Sequence, residues 1–288
     1  MNVREIPRRD MNEVLQDPWV DTGRRPWISG DVAYVPVRDG YPYTMALKER
    51  RRKGRGYQKI GSVIAFHGEK PDWDVVSEVI DRHKPEAVIW YRGHRGEMRI
   101  PEITVLYGEV SDTMNKESGI IYHLNPAVVM FSQGNREEKR RIAGLVKPGE
   151  RICDMFAGIG YFTLPMAKAG GHVHAMEINP DAVYFLQKNI QANNLGSRVM
   201  VSHGDCRDYI TGIYDRIHMG YYDAAKFLAT ALQHAGPGTM IHVHGIGDNT
   251  GEIKEHLDMA GVLAVMNQRI IKKIGPGKVH TVTDLVIK

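Results

Sequence analysis

The feature that most constrains this chain is Asp154-Met-Phe-Ala-Gly-Ile-Gly160, which closes an apolar run from Arg151 to Phe156 and opens a helical pattern. Two glycines in three positions let the backbone turn sharply from strand to helix and approach a ligand closely. Glu177 ends the next apolar run, Val173 to Glu177. An acid at the end of a second strand can accept both hydroxyls of a ribose. A glycine turn between strand and helix, with an acid one strand later, predicts alternating strands and helices in a parallel sheet.

The rest of the C-terminal half keeps that rhythm. Asn135-Arg-Glu-Glu138 reads as a capping box opening a helix that should reach about Val146, before Pro148-Gly149. A helix follows Gly160 and ends near Gly170-Gly171. Asn179-Pro180 should cap the next one, with Ala182, Val183, Leu186 and Ile190 as its apolar stripe. Val199–Ser202 and Ile217–Met219 read as the third and fourth strands. A helix over Asp223–His234, a strand over Met240–His244, a helix over Glu252–Ala260 and two final strands near 262–271 and 280–287 complete the pattern. The last hairpin suggests an antiparallel edge.

Residues 1 to 130 read differently. Short strand-like runs, Ile60–Phe66, Ala87–Tyr91 and Ile103–Tyr107, flank one helix, Trp73–His83. This is an α+β pattern without a recognisable catalytic motif. The expected architecture is therefore α/β: a doubly wound, Rossmann-type sheet over 131–288, preceded by a smaller α+β domain over 1–130. With 288 residues, 42% hydrophobic and 25% charged, the composition is that of a globular chain with a sizeable core. No apolar run is long enough to span a bilayer and MNVREIPRRD lacks an apolar segment, so a cytoplasmic location is expected. The net charge of +4 points only weakly to a polyanionic partner. The stretch Lys48 to Lys59 says more, with seven basic residues against one acid, and Tyr57 offers a stacking face.

The third glycine of a dinucleotide loop is missing, because position 163 is Thr. The short form Asp-x-Phe-x-Gly-x-Gly favours S-adenosylmethionine. Asp205-Cys206, after the third strand, supports this: an acid there accepts from an adenine amino group. His242 and His244 alternate on one strand face with no third ligand spaced nearby, so no metal site is expected. Cys153 reads as core. His203 and His218 lie near the site as candidate proton acceptors.

These motifs, with Glu177-Ile-Asn-Pro180, Asn189-Ile-Gln-Ala-Asn-Asn-Leu195 and Phe131-Ser132, resemble the family that modifies the purine next to the anticodon of tRNA. That family holds guanine-N1 methyltransferases and the aminocarboxypropyl-transferring enzymes of wybutosine synthesis. The resemblance implies a class I methyltransferase-like domain over 131–288 and a tRNA-positioning domain over 1–130. The additional N-terminal domain of the methylating branch is expected to be absent for want of length. It further implies cofactor contacts at Ser132, Lys139, Phe156, Gly158, Glu177, Asp205 and Cys206. Relatives often have Arg at position 139, so the charge is kept but not the fork geometry. His218-Met219-Gly220-Tyr221 occupies the place of Asn-Leu-Pro in the methylating branch, and resembles the Met-Gly-Tyr turn of the other branch. These four, with Arg136, are the expected substrate-facing residues. The implied reaction moves the 3-amino-3-carboxypropyl group to carbon 7 of 4-demethylwyosine in the anticodon stem-loop of tRNA(Phe); N1 methylation of guanine is the alternative.

Overall fold

The computed structural model describes residues 2–24, 26–46, 56–131, 135–275 and 277–288. The chain forms two units, Met1–Gly54 and Arg55–Lys288. The first contains β1 (Asn2–Pro7), α1 (Met11–Val14), β2 (Trp27–Ser29), β3 (Val32–Pro36) and β4 (Met45–Ala46). Its antiparallel sheet runs in the order β2-β3-β1-β4 around Trp19, Val20, Val35 and Val37. A separate sheet at this end was not anticipated, because its strands are short and broken by turn residues.

The second unit opens with β5 (Tyr57–Ile60), β6 (Val63–His67), α2 (Trp73–His83), β7 (Ala87–Arg95) and β8 (Ile100–Gly108). The run expected as one strand over 60–66 is broken at Gly61, whose φ of 55° forms the turn between β5 and β6. A Cβ there would sit 2.1 Å from the Thr113 hydroxyl, so only glycine fits. The hairpin β9 (Thr113–Glu117) and β10 (Ile120–Leu124) follows.

The remaining elements are α3 (Arg136–Leu145), β11 (Arg151–Asp154), α4 (Thr163–Lys168), β12 (His172–Glu177), α5 (Pro180–Ala192), β13 (Val199–His203), α6 (Cys206–Tyr209), β14 (Tyr214–Met219), α7 (Leu228–Gln233), β15 (Ala235–Ile246), α8 (Thr250–Ala260), β16 (Ala264–Gly275) and β17 (Lys278–Ile287). They build a seven-stranded sheet in the order β13-β12-β11-β14-β15-β17-β16. Five strands are parallel, and β17 inserts antiparallel between β15 and β16, as the final hairpin suggested. Strand order reverses between β11 and β14, the switch point where open α/β sheets bind ligands.

Asn179 caps α5 as expected, accepting from the Asp181 N–H at 2.9 Å. Asn135 precedes α3 but makes no side-chain cap. The expected capping box does not form because Glu138 turns inward and holds Arg141 through two hydrogen bonds, 2.9 and 2.6 Å. The helix expected over 223–234 begins as a 3₁₀ turn, Ala224–Phe227, before α7.

Residues 130 and 131 lie inside the second unit. One apolar core runs from Ile60, Val63 and Ile89 through Ile120 and Tyr122 to Ile152, Leu164 and Leu186. Two amides reinforce it. Asn189, wholly buried on α5, accepts from the His123 N–H and donates to the carbonyls of His123 and Ile159. Asn193 exchanges hydrogen bonds with the Ile121 backbone. The β9–β10 hairpin is thus fastened to the loop that carries Gly158.

Candidate functional site

The turn after β11 places Gly158 at φ 56° and Gly160 at φ 100°, backbone that favours glycine. Its amides face the end of β12. Glu177 accepts from the Gly158 N–H at 2.7 Å through one oxygen and from the Asn179 N–H at 2.9 Å through the other. Each oxygen keeps a second lone pair. Burial raises the Glu177 carboxyl above its usual range, against the pull of those amides.

A cavity of about 430 Å³ opens in front of this acid, lined by Phe156, Gly158, Glu177, Ile178, Asp205 and Cys206 among others. Six of the seven residues expected to hold a cofactor can be placed, and five of them meet here. Phe156 packs against Phe227 with centroids 5.0 Å apart, fixing one wall. Asp205 caps α6 and is gripped by the Arg207 fork, whose hydrogen bonds hold its carboxyl below the ordinary range. Burial pushes the Cys206 thiol up to about 12, so it stays protonated. Ser132 lies outside the described residues. Lys139 is buried against a second cavity, with its ammonium 2.9 Å from the Glu117 carboxylate and 5.0 Å from the Tyr161 ring. Arg136 is half exposed at the helix start, 3.5 Å from the same carboxylate.

The four residues expected to face substrate divide. His218 and Met219 are buried within β14, because their backbone pairs with β11 on one side and β15 on the other. They lie on the fourth strand, as the apolar run suggested, and neither is among the residues lining the two cavities. Gly220 and Tyr221 follow the strand and line the cavity.

Gly220 also lines the second cavity, of about 350 Å³, together with Arg99, Val129, Met130, Phe156 and Tyr161, which border both. This space carries an unusual set of polar groups. Gln58 Nε2, Tyr91 hydroxyl, Arg99 Nε, Asn135 Oδ1 and His280 Nδ1 are buried, line it, and have no hydrogen-bond partner among the described residues. Buried polar groups are nearly always satisfied, so five at one cavity mark a place for a polar ligand. Burial, with Lys139 and Arg99 nearby, pulls the Lys272 ammonium down in the same wall. Sequence reasoning missed Tyr91, Arg99, Lys272 and His280. They come from separate strands and turns, and no local spacing connects them.

Among the described residues, no group of three or more His, Cys, Asp or Glu is placed to hold a metal ion, and no helix is long and apolar enough to cross a membrane.

The switch-point cavity, the glycine turn and the acid at the end of β12 define a class I methyltransferase fold. Residues 113–266 match the model of the TRM5/TYW2 methyltransferase domain, and the chain belongs to that family. It is 35% identical over 244 residues, 80% of this chain and 97% of the relative, to a tRNA(Phe) (4-demethylwyosine(37)-C(7)) aminocarboxypropyltransferase of Methanocaldococcus jannaschii. The solved structure of Pyrococcus horikoshii TYW2 in complex with MeSAdo matches with TM-score 0.71 at 29% identity, covering 81% of this chain and 91% of that one. Trm5b from Pyrococcus abyssi matches in fold over 100% of both chains, with TM-score 0.72 at 24% identity. That likeness in fold extends through the N-terminal unit.

Proposed function

We propose that this chain transfers the 3-amino-3-carboxypropyl group of S-adenosylmethionine to carbon 7 of 4-demethylwyosine, next to the anticodon of tRNA(Phe). The observation that carries this reading is the junction of the two cavities at Gly220 and Arg99. The first fits an adenosine. Glu177 has a lone pair on each oxygen for a ribose hydroxyl, Phe156 and Ile178 flank the adenine, and Asp205 with the Cys206 backbone meets its edge. The second fits a flat, polar base, with buried donors and acceptors left to pair.

The sulfonium supplies an electrophilic carbon, and which of its three carbons reacts is decided by alignment with the nucleophile. Arg99 borders both cavities and Lys272 lines the second. An amino-acid carboxylate drawn toward these cations leads the longer arm, not the methyl, to the acceptor base. The protein's part is placement and exclusion of water. Residues 1–130, with the basic stretch between Lys48 and Lys59, would position the tRNA. Lys48 to Arg55 of that stretch lie outside the described residues.

One observation favours the second reading, N1 methylation of guanine: the fold likeness to Trm5b spans the whole chain. A single assay separates the two. The protein is incubated with labelled S-adenosylmethionine and tRNA carrying 4-demethylwyosine, in parallel with tRNA carrying unmodified guanine at the same position, and the sulfur coproduct is identified by mass. Methylthioadenosine is expected. S-adenosylhomocysteine would overturn the proposal and support methylation.

A further inference from the structure

Three histidines the sequence never grouped form one chain through the sheet. His218 Nδ1 lies 3.2 Å from Asp154 Oδ1, His218 Nε2 lies 3.1 Å from His244 Nε2, and His244 Nδ1 lies 2.9 Å from His280 Nε2. All four residues are essentially excluded from solvent. They come from β11, β14, β15 and β17, which are successive neighbours in the sheet, so pairing register sets the spacing. Phe162 packs on both inner rings, 4.0 Å from His218 and 5.3 Å from His244 between centroids. Each nitrogen meets the next in series.

The polarity of this chain is determined at one end. An ionised carboxylate only accepts, and Thr163 already donates to its other oxygen at 2.7 Å. His218 must therefore carry its proton on Nδ1. Nε2 of His218 is then an acceptor, so His244 is protonated on Nε2. By the same step His280 is protonated on Nε2. The far end is left as a lone pair on His280 Nδ1, the buried atom without a partner at the second cavity. Arg99, Lys272 and the edge of the Tyr222 ring, 5.0 Å away, surround it. Burial, with Lys272 and Arg99, holds His280 down at about 4, so this end is neutral near pH 7.

We infer that Asp154, His218, His244 and His280 form a proton relay that takes the hydrogen leaving carbon 7 of the acceptor base. This rests on the reading above. When the ring carbon bonds to the transferred carbon, the carbon–sulfur bond breaks and its electron pair stays on sulfur as neutral thioether. The ring is left cationic, with its hydrogen on a saturated carbon. That proton passes to His280 Nδ1, and the C–H electrons restore the aromatic ring. In concert, His280 Nε2–H moves to His244 Nδ1, His244 Nε2–H to His218 Nε2, and His218 Nδ1–H to Asp154. The charge is neutralised on the carboxylate, and no imidazolium persists in the core, where its desolvation would be costly. A proton on such a carbon is strongly acidic, so a weak base suffices. After the product leaves, the relay discharges by the same path to water.

Two measurements test this. In the intact protein, imidazole ¹⁵N shifts report the tautomers: His218 protonated on Nδ1, His244 and His280 on Nε2. His280 protonated on Nδ1 in the resting protein would overturn the proposal. His280→Gln keeps a donor toward His244 but replaces the basic cavity nitrogen with an amide oxygen that does not take up a proton near pH 7. Its kcat is expected to fall about 10²-fold with the affinity for S-adenosylmethionine unchanged. A substrate deuterated at carbon 7 should react at the wild-type rate with wild-type protein but more slowly with the variant, because proton loss has become limiting. A slow variant without an isotope effect, or a fully active one, would also overturn it. Coproduct mass is followed in the same reactions. S-adenosylhomocysteine would refute the reaction assigned above, and the tautomer result judges the relay independently.

Discussion

Replacing Glu177 by Ala tests the nucleoside assignment most directly. The carboxylate holds the Gly158 and Asn179 amides, and its two remaining lone pairs face the first cavity. Hydrogen bonds to a charged acceptor contribute about 1.5–3 kcal/mol each. Losing two to ribose hydroxyls removes about 3–6 kcal/mol, roughly 10²- to 10⁴-fold in affinity. The substitution also strands two backbone donors, at about 1–3 kcal/mol each where they are shielded from water. The variant should therefore melt at a lower temperature and bind S-adenosylmethionine far more weakly by calorimetry. Its tRNA affinity by filter binding should stay near wild type. The pH dependence has a definite sign. Burial raises the Glu177 carboxyl, so protonation begins above the ordinary carboxylate range and removes the acceptor. Cofactor affinity of the wild type should fall as pH drops into that window, and the Ala variant should lack this dependence. Calorimetric affinity in the variant within about threefold of wild type, less than 1 kcal/mol, would refute the ribose assignment.

Other expectations follow from the buried charges and the basic stretch. Burial would raise Asp284, but hydrogen bonds from His242 and Arg141 outweigh it and hold the carboxyl at about 2. From an ordinary 3.8 this is ~2 kcal/mol of stability, fully present above about pH 4 and lost as pH falls toward 2. Urea midpoints should show that loss in wild type and not in Asp284→Asn. Lys139→Met leaves the Glu117 carboxylate buried with, among the described residues, only the 3.5 Å contact to Arg136, and should destabilise by about 3–5 kcal/mol. Adding Glu117→Leu should recover much of it in a double-mutant cycle; no recovery would deny the coupling. Reversing the charges of Arg50, Arg51 and Arg52 should lower the slope of log affinity against log salt for tRNA by roughly 2 to 3. An unchanged slope would return that stretch to a solvated loop.

What the sequence disclosed was the part written in contiguous residues. The glycine turn, Glu177, the Asn179 cap and the strand–helix alternation depend on neighbours within one or two turns, so their pattern is local. Asn135 misled for a physical reason: Glu138 found a stronger, buried partner in Arg141, itself shared with Asp284 about 140 residues later. The second cavity was invisible because its groups meet only when β5–β8 packs over the sheet. Arg99 arrives from the β7–β8 turn, held at φ 52°, while Lys272 and His280 arrive on β16 and β17. The alternation of His242 and His244 hid two different partnerships. His242 joins Arg216 and Asp284, and His244 joins His218 and His280.

Gly220 unites these observations. Its φ does not fall in the left-handed region, so conformational freedom is not the reason for glycine. Space is. A Cβ at position 220 would lie 2.8 Å from Cε1 of the His218 ring and 3.3 Å from its Nδ1. That ring cannot retreat, because Asp154 holds one side, His244 the other, and Phe162 its face. The His-Met-Gly run is therefore one unit. The histidine fills the strand end with a hydrogen-bonded ring, and the glycine passes over it as the seam between the two cavities. An Asn-Leu-Pro turn at 218–220 would remove the His218 ring and set a proline ring at position 220, where this chain has no side chain. What separates the two turns reaches one layer deeper than the loop, into the packing of the sheet.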